Sequence, residues 1–447
     1  MKVSMFLTMF TLGMVLQAAA IACPPDTTVS VTDKGKIQAL LITGRDKQFS
    51  KDWLGAMADF KKILEINPTH ATAHFRIAEC HYNIYKWQFA LEYLEKAYQY
   101  DPEVNKEYHY MMGLVKHRMG KPEEAIVHFE KFKPLAGEGM LKEYMVEKHI
   151  KDCSFAIEAT KNPTSAKVKN PGPIINTRFR DYQPVVTADD QTMYFTSRRN
   201  DTKGGGIAKD FAFFEDIYVA KRDASTGQWT QPVHLPGKVN SESHESVSSI
   251  NAAGTEMYLT VYAGDSRIAD LAVCKKREDE SWSDPKPYPK KTINTTFFEA
   301  SITLTEDGKT MYFVAERLNG KGRSDIYRST QISKKEWSKP ENISILNTED
   351  DENSVYVTPD GKYLFFSSNG LPGIGGYDIY ISKNENGNWS APVNLGYPVN
   401  SVNDDFHFKP NATFTKAYMT SVREDSEGLH DIYEVDLSGY DIRGLAK

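Results

Sequence analysis

Asn347-Thr348-Glu349-Asp350-Asp351-Glu352 opens a phrase that runs through Thr358-Pro359-Asp360-Gly361 and Leu364-Phe365-Phe366 to Asp378-Ile379-Tyr380, and closes at Trp389. The phrase occurs five times in the second half of the chain. Its opening asparagines are Asn176, Asn240, Asn294, Asn347 and Asn400. The aspartates that begin its third strand are Asp216, Asp270, Asp325, Asp378 and Asp431, spaced 54, 55, 53 and 53 residues apart. Asp-Gly between two apolar runs is a hairpin signal, because Gly tolerates the positive φ of a tight turn. Four short strands in a repeat of this length read as a propeller blade. The count favours five blades over six, spanning 174–447.

A Trp is expected to open the fourth strand, at Trp229, Trp282, Trp337 and Trp389. The fifth repeat lacks it and ends as Leu437-Ser438-Gly439-Tyr440. A ring left unclosed exposes a sheet edge. Ser165-Ala166-Lys167-Val168-Lys169-Asn170 stands before Ile175-Asn176 much as Ser390-Ala391-Pro392-Val393-Asn394-Leu395 stands before Val399-Asn400. Residues 161–173 are therefore expected to hold a linker and the closing outer strand of the last blade.

Two features of the repeats are candidates for function. Five residues after each opening Asn stands a carboxylate: Asp181, Glu245, Glu299, Glu352 and Asp405. Equivalent positions of a propeller lie on a ring, so these five could make an acidic channel mouth whose repulsion needs a compensating group. The alternative is structural, each carboxylate tying one blade to the next. The second feature is an excess of about ten residues in the first repeat, at Thr202 to Phe214. It carries Phe211, Phe213 and Phe214, a candidate binding loop, or else one that packs on a neighbouring blade or on the helical half.

From 36 to 160 the apolar period becomes helical. Ala71, Phe75, Ala78 and Tyr82 form one stripe, and Phe89, Ala90, Tyr93, Leu94 and Ala97 the next. Glu65-Ile66-Asn67-Pro68 and Tyr100-Asp101-Pro102 close successive helices, and Gly113, Gly120-Lys121-Pro122 and Phe129 continue the pattern. This resembles the tetratricopeptide repeat, with about three copies and a closing helix near 141–159. The fold expected is a tetratricopeptide-like helical solenoid followed by a five-bladed β-propeller. Stacked helix pairs make a groove that holds a peptide or partner helix, or simply a spacer.

The first 22 residues read as a signal peptide: Lys2, the apolar run Phe6 to Leu16, then Ala18-Ala19-Ala20-Ile21-Ala22. Cys23 follows, and Ala20-Ile21-Ala22-Cys23 resembles a bacterial lipobox. That resemblance implies lipidation of Cys23, with 23–35 as the linker from a membrane anchor. The formal net charge of −6 argues against nucleic-acid binding. Cys80, Cys153 and Cys274 lie far apart and suit buried thiols. No motif for a nucleophile elbow, a zinc protease or a phosphate loop is present, and no cofactor or metal is expected.

Gly375-Gly376-Tyr377-Asp378-Ile379-Tyr380, followed by Gly387-Asn388-Trp389-Ser390-Ala391-Pro392-Val393 and Val399-Asn400-Ser401, resembles the TolB-type WD-like propellers of Bacteroidota envelope proteins that join such a ring to tetratricopeptide repeats. An OmpA-like domain follows in many of that family, and here the sequence stops at Lys447. The resemblance implies a non-enzymatic lipoprotein on the periplasmic face of the outer membrane, with envelope proteins as partners. It also implies a place in an outer-membrane or type IX secretion or gliding assembly. The alternative is a propeller enzyme or a glycan-binding protein acting on envelope or extracellular polysaccharide, including peptidoglycan-associated material.

Overall fold

The computed structural model describes residues 29–446 apart from 263, 265–267 and 335. The signal peptide and Cys23 lie outside the described residues. The first half is helical: α1 (Val31–Phe49), α2 (Trp53–Ile66), α3 (Ala71–Asn83), α4 (Trp87–Tyr100), α5 (Tyr108–Arg118), α6 (Pro122–Phe132), α7 (Glu138–Glu143) and α8 (Val146–Lys161). The first helix thus starts inside the stretch 23–35 expected to be a linker. Ser30 caps it, its hydroxyl accepting from the Asp33 N–H.

Helices α1–α6 stack as three antiparallel pairs, and the closest packing explains their small residues. A Cβ at Gly44 would collide with the Phe60 ring, and one at Gly113 with the Phe129 ring. Ala78 and Leu94 share a core cluster at the corresponding place in the middle pair. Gly44 is the mark that makes the first pair a regular member of the series, and apolar periodicity alone does not reveal it. Cys80, Cys153 and Cys274 are buried and unpaired with one another, and burial pushes each thiol up to about 12.

The second half is five antiparallel sheets arranged as blades I to V. In each blade an inner strand begins at the repeat carboxylate, as in Asp181–Val186 of blade I, Glu352–Val357 of blade IV and Asp405–Pro410 of blade V. A second and a third strand follow, as in Tyr363–Ser368 and Asp378–Glu385. The outermost strand is short, as in Val393–Asn394. The Trp lies elsewhere than expected. Trp337 and Trp389 sit on two-residue strands that fold back on the end of the third strand, before the outer strand begins. From there each Trp reaches the preceding blade: Trp229 meets Tyr418, Trp282 meets Tyr194 and Trp389 meets Tyr312, all edge-on at 5.6–6.3 Å. Position ahead of the outer strand is what lets the indole cross to a neighbour.

The outer strand of blade V comes from the other end of the chain. Lys167–Lys169 pairs antiparallel with Asp431–Asp436, with Val168 opposite Val435. The missing fifth Trp is replaced by the C-terminal tail. Leu437, Ile442 and Ala446 are buried in one cluster with Ile381 and Phe408, and Phe414 packs on Tyr363 and Phe365 of blade IV.

Each opening Asn explains its own recurrence. Asn240 Nδ2 donates to Ile217 O at 2.9 Å, and Ile217 N–H donates to Asn240 Oδ1 at 2.8 Å. The amide so copies a backbone partner for a third strand. Asn176–Ile432, Asn294–Leu271, Asn347–Ile326 and Asn400–Ile379 repeat the pair of bonds.

Candidate functional site

The five candidate channel-mouth acids do not form an open acidic ring, and of the five Glu352 alone borders the axial cavity. Asp181, Glu245, Glu299, Glu352 and Asp405 are at most 1% exposed. Each accepts from the Ser or Thr four residues earlier, the residue beside the opening Asn. Thr177 N–H and Oγ1 both donate to Asp181 at 2.7 Å, and Thr348 donates to Glu352 at 3.1 and 2.9 Å. Since the Asn grips the preceding blade and the carboxylate grips its neighbour in sequence, the Asn-Ser/Thr pair rivets two blades. This corrects the acidic ring: the groups are desolvated, and the compensating donors belong to the chain. Three also have a cation, Arg199 at 3.0 Å from Asp181, Arg317 at 3.7 Å from Glu299 and Arg423 at 3.1 Å from Asp405. Those arginines stand two residues beyond the second strand, each 23 residues after its opening Asn, a regularity the sequence carries. Burial raises Glu245, Glu299 and Asp405, and pushes Glu352, which has no such Arg, up to about 7.

On the axis lies a cavity of about 260 Å³ whose lining includes Arg180, Tyr182, Glu215, His407 and His430. Tyr182 Oη donates to Glu215 at 2.5 Å. Burial drives His407 well down and His430 down to about 3, so both rings are neutral. At the far end of the inner strands Lys409 Nζ donates to Pro184 O and Ser248 O at 3.2 and 2.6 Å, joining blade V to blades I and II. Among the described residues no group of three or more His, Cys, Asp or Glu side chains could hold a metal ion, and no helix is long and apolar enough to cross a membrane.

The helical repeats sit on the face where the inner strands begin. The loop Leu371-Pro372-Gly373-Ile374-Gly375-Gly376 of blade IV docks against α5 and α8. Ile374 is fully buried, and its carbonyl lies 2.8 Å from His117 Nε2. Gly373 N–H points at Asp152 Oδ1, 3.4 Å away. Arg118 donates to Val402 O at 3.1 Å and to Asp404 at 3.3 Å, and Tyr85 Oη donates to the other Asp404 oxygen at 3.4 Å. The glycines are steric necessities: a Cβ at Gly376 would strike Asp404 and Arg118, and one at Gly375 would strike the 401–403 backbone. The chain's own blade IV loop thus covers the parts of α5 and α8 around His117, Arg118 and Asp152.

Beside the docked loop the two halves leave a cleft of about 510 Å³. Its helical wall includes Lys51, Trp53, Leu54 and Ile84. Its propeller wall includes Arg178, Phe179, Ile207, Phe211 and Phe213. The candidate loop therefore divides. Phe214 packs on His244 with ring centroids 4.6 Å apart and covers Gly204, and Phe213 meets Phe179 edge-on at 5.5 Å. Phe211 remains 47% exposed over the cleft. Arg198 fixes the loop, holding Asp210 through both oxygens at 2.5 and 2.8 Å and the Phe213 carbonyl at 2.5 Å.

No family model matches this chain. The helical part is similar to the small glutamine-rich tetratricopeptide repeat-containing protein 2 of Saccharomyces cerevisiae, 27% identical over 131 residues. That match covers 28% of this chain and 38% of the yeast protein, so the chain spans well under half the length of that curated relative. The Yersinia enterocolitica type III secretion chaperone SycD, solved with a peptide of the translocator YopD, is similar over 27% of this chain and 94% of its own, at 12% identity and a TM-score of 0.25. The α-L-arabinofuranosidase of Lactobacillus brevis is similar over 59% of this chain and 91% of its own, at 11% identity and a TM-score of 0.40. These likenesses each cover part of this chain and concern fold alone.

Proposed function

We propose that this chain is a non-enzymatic cell-envelope lipoprotein that works as a protein–protein interaction scaffold. The observation that carries the reading is the docked blade IV loop. Burial of Ile374 and the bonds of His117, Arg118 and Asp152 fasten a helical repeat to a propeller face, giving one platform with walls from both. Two repeat architectures joined in this way present a large fixed surface, which suits partner binding. The envelope address rests on the apolar run ahead of Ala20-Ile21-Ala22-Cys23 and on the family resemblance. The place proposed is the periplasmic face of the outer membrane, within an outer-membrane or type IX secretion or gliding assembly.

The test is crosslinking and affinity purification of the tagged chain from membranes, alongside a Cys23→Ser variant. The expected result is fatty-acid labelling that depends on Cys23 and recovery of defined envelope proteins. Turnover of an envelope glycan by the pure protein, with no protein partner recovered, would overturn the reading.

A further inference from the structure

The geometry points to the interdomain cleft as the docking site for an extended segment of a partner protein, one that carries a large apolar side chain flanked by carboxylates. The proposal rests on the scaffold reading and adds to it the place and the chemistry. Three observations carry it.

First, the floor is apolar and uncovered. Leu54 is 64% exposed and Ile207 58% exposed, and with Phe211 they face a shared recess from opposite halves of the chain. Large side chains left bare around one concavity mark an interaction site more than scattered exposed residues do. The recess has the size of a pocket for one aromatic or long aliphatic anchor and its neighbours.

Second, the rim is basic on a chain of net charge −6. Lys51, Arg178 and Arg180 line it, and no ion pair or side-chain hydrogen bond joins any of them to another described residue. The fourth cation, Arg198, already holds the cleft's Asp210. The Arg178 guanidinium carbon stands 4.9 Å from the centre of the Phe179 ring, a cation–π contact that leaves its N–H donors without a described hydrogen-bond partner. Guanidinium groups fixed beside an apolar floor suit carboxylates, which they grip through paired N–H donors.

Third, the neighbouring end of the helical stack is taken by the blade IV loop, as Ile374 and His117 show. That surface is covered, and the adjoining cleft is left as the open recess between the two halves. A slot between two walls suits an extended chain, whereas a membrane surface needs a convex or flat patch.

The test uses the full chain and a fluorescein-labelled nonapeptide with a central Phe among glutamates. Controls are the same peptide with lysines for the glutamates, the same with Ser for the Phe, and vesicles of phosphatidylglycerol. Saturable binding is expected for the acidic aromatic peptide alone. It should weaken at least about tenfold in an Arg178→Glu, Arg180→Glu variant, and similarly in an Ile207→Ser, Phe211→Ser variant. Arg178, Ile207 and Phe211 are exposed, whereas Arg180 is partly buried and also lines the axial cavity, so Arg178→Glu alone and the Ile207→Ser, Phe211→Ser pair are the variants whose circular dichroism and melting should match the parent. Raising salt from about 50 to about 500 mM should weaken binding as well. Absence of saturable binding at about 1 mM peptide would overturn the proposal. So would equal binding of the lysine peptide, or vesicle binding that displaces the acidic one.

In cells, a photo-crosslinking amino acid replaces Phe211 or, on the outer helical face, Val127. An adduct at 211 mapping to an acidic, apolar segment supports the cleft. Adducts at 127 but none at 211 would overturn the cleft and leave the scaffold reading standing. Adducts at neither would sink both.

Discussion

Glu352 gives a sharp test of how this ring is riveted. It is the repeat carboxylate of blade IV, fully buried, with Thr348 and Ser368 as donors and no arginine. The arginines of blades I, III and V stand where blade IV has Gly370. A Cβ there would strike Thr348 Oγ1, so no side chain fits. Burial first, opposed by the three donors, pushes the Glu352 carboxyl from an ordinary 4.5 up to about 7. The sign follows from linkage. The folded state keeps the proton longer than the unfolded state does, so stability is full below pH 4.5 and falls as pH rises to about 7. The loss at pH 8 is about 3 kcal/mol. Glu352→Gln keeps the shape and removes the ionisation. At pH 4 it should cost about 1 kcal/mol for poorer hydrogen bonds. At pH 8 it should stabilise by about 2 kcal/mol, a swing of about 3 kcal/mol between the two. Urea unfolding of both proteins from pH 4 to 8 measures the difference, in which the other titrating groups cancel. A gap between variant and parent that stays constant within about 0.5 kcal/mol across this range, or a Glu352 carboxyl that titrates near 4.5 in the folded protein by carbon NMR, would refute the reasoning.

Trp389→Ala should destabilise by about 3–5 kcal/mol, since it removes a buried indole from Tyr312 of the preceding blade; chemical unfolding measures it, and Trp389→Phe should recover part. Replacing residues 165–169 by a Gly-Ser run should unpair the Asp431–Asp436 edge, seen as lower melting temperature and association in light scattering. His117→Ala should leave the Ile374 carbonyl buried without a partner and cost about 1–3 kcal/mol, with the helical half becoming separately sensitive to limited proteolysis.

The repeat was legible because one residue in it has one job. An Asn that bonds both polar groups of a third-strand residue cannot be exchanged for a residue lacking either group, so it recurs at even steps and marks the blades. The carboxylates were legible as a ring but not in depth. Stacking five repeats places equivalent residues around an axis and says nothing of whether they face water, and here the Thr348 and Ser401 type donors draw them inward. Gly44 stands 34 residues before Ala78 and so keeps the step of the helical repeat, but a single glycine in an otherwise degenerate first repeat is a faint mark until the Phe60 ring against it supplies the reason. The docked loop was out of reach altogether. His117 and Ile374 are 257 residues apart, and the glycines around Ile374 look like any loop between strands until Arg118 and Asp404 crowd them.

The departures from fivefold symmetry are nevertheless connected by the chain's own path. Helix α8 ends at Lys161 and the closing strand starts at Lys167, so residues 162–166 are the only leash between the helical stack and the ring. Fully extended they reach about 20 Å. The leash enters blade V at its outer edge, and Thr164 N–H is already bonded to Tyr397 O of the blade IV–V connection. The described contacts of the helical stack fall on the blade IV loop, on Val402 and Asp404, on His430 and across the cleft from blade I. Two loops there differ from the repeat pattern: the glycine-rich loop of blade IV, which docks on the stack, and the long loop of blade I, which stops short of it and leaves a cleft. Ring closure by an N-terminal strand therefore does more than remove a sheet edge. It also sets the point at which the helical repeats join the ring, at the outer edge of blade V and beside the two loops that wall the composite surface.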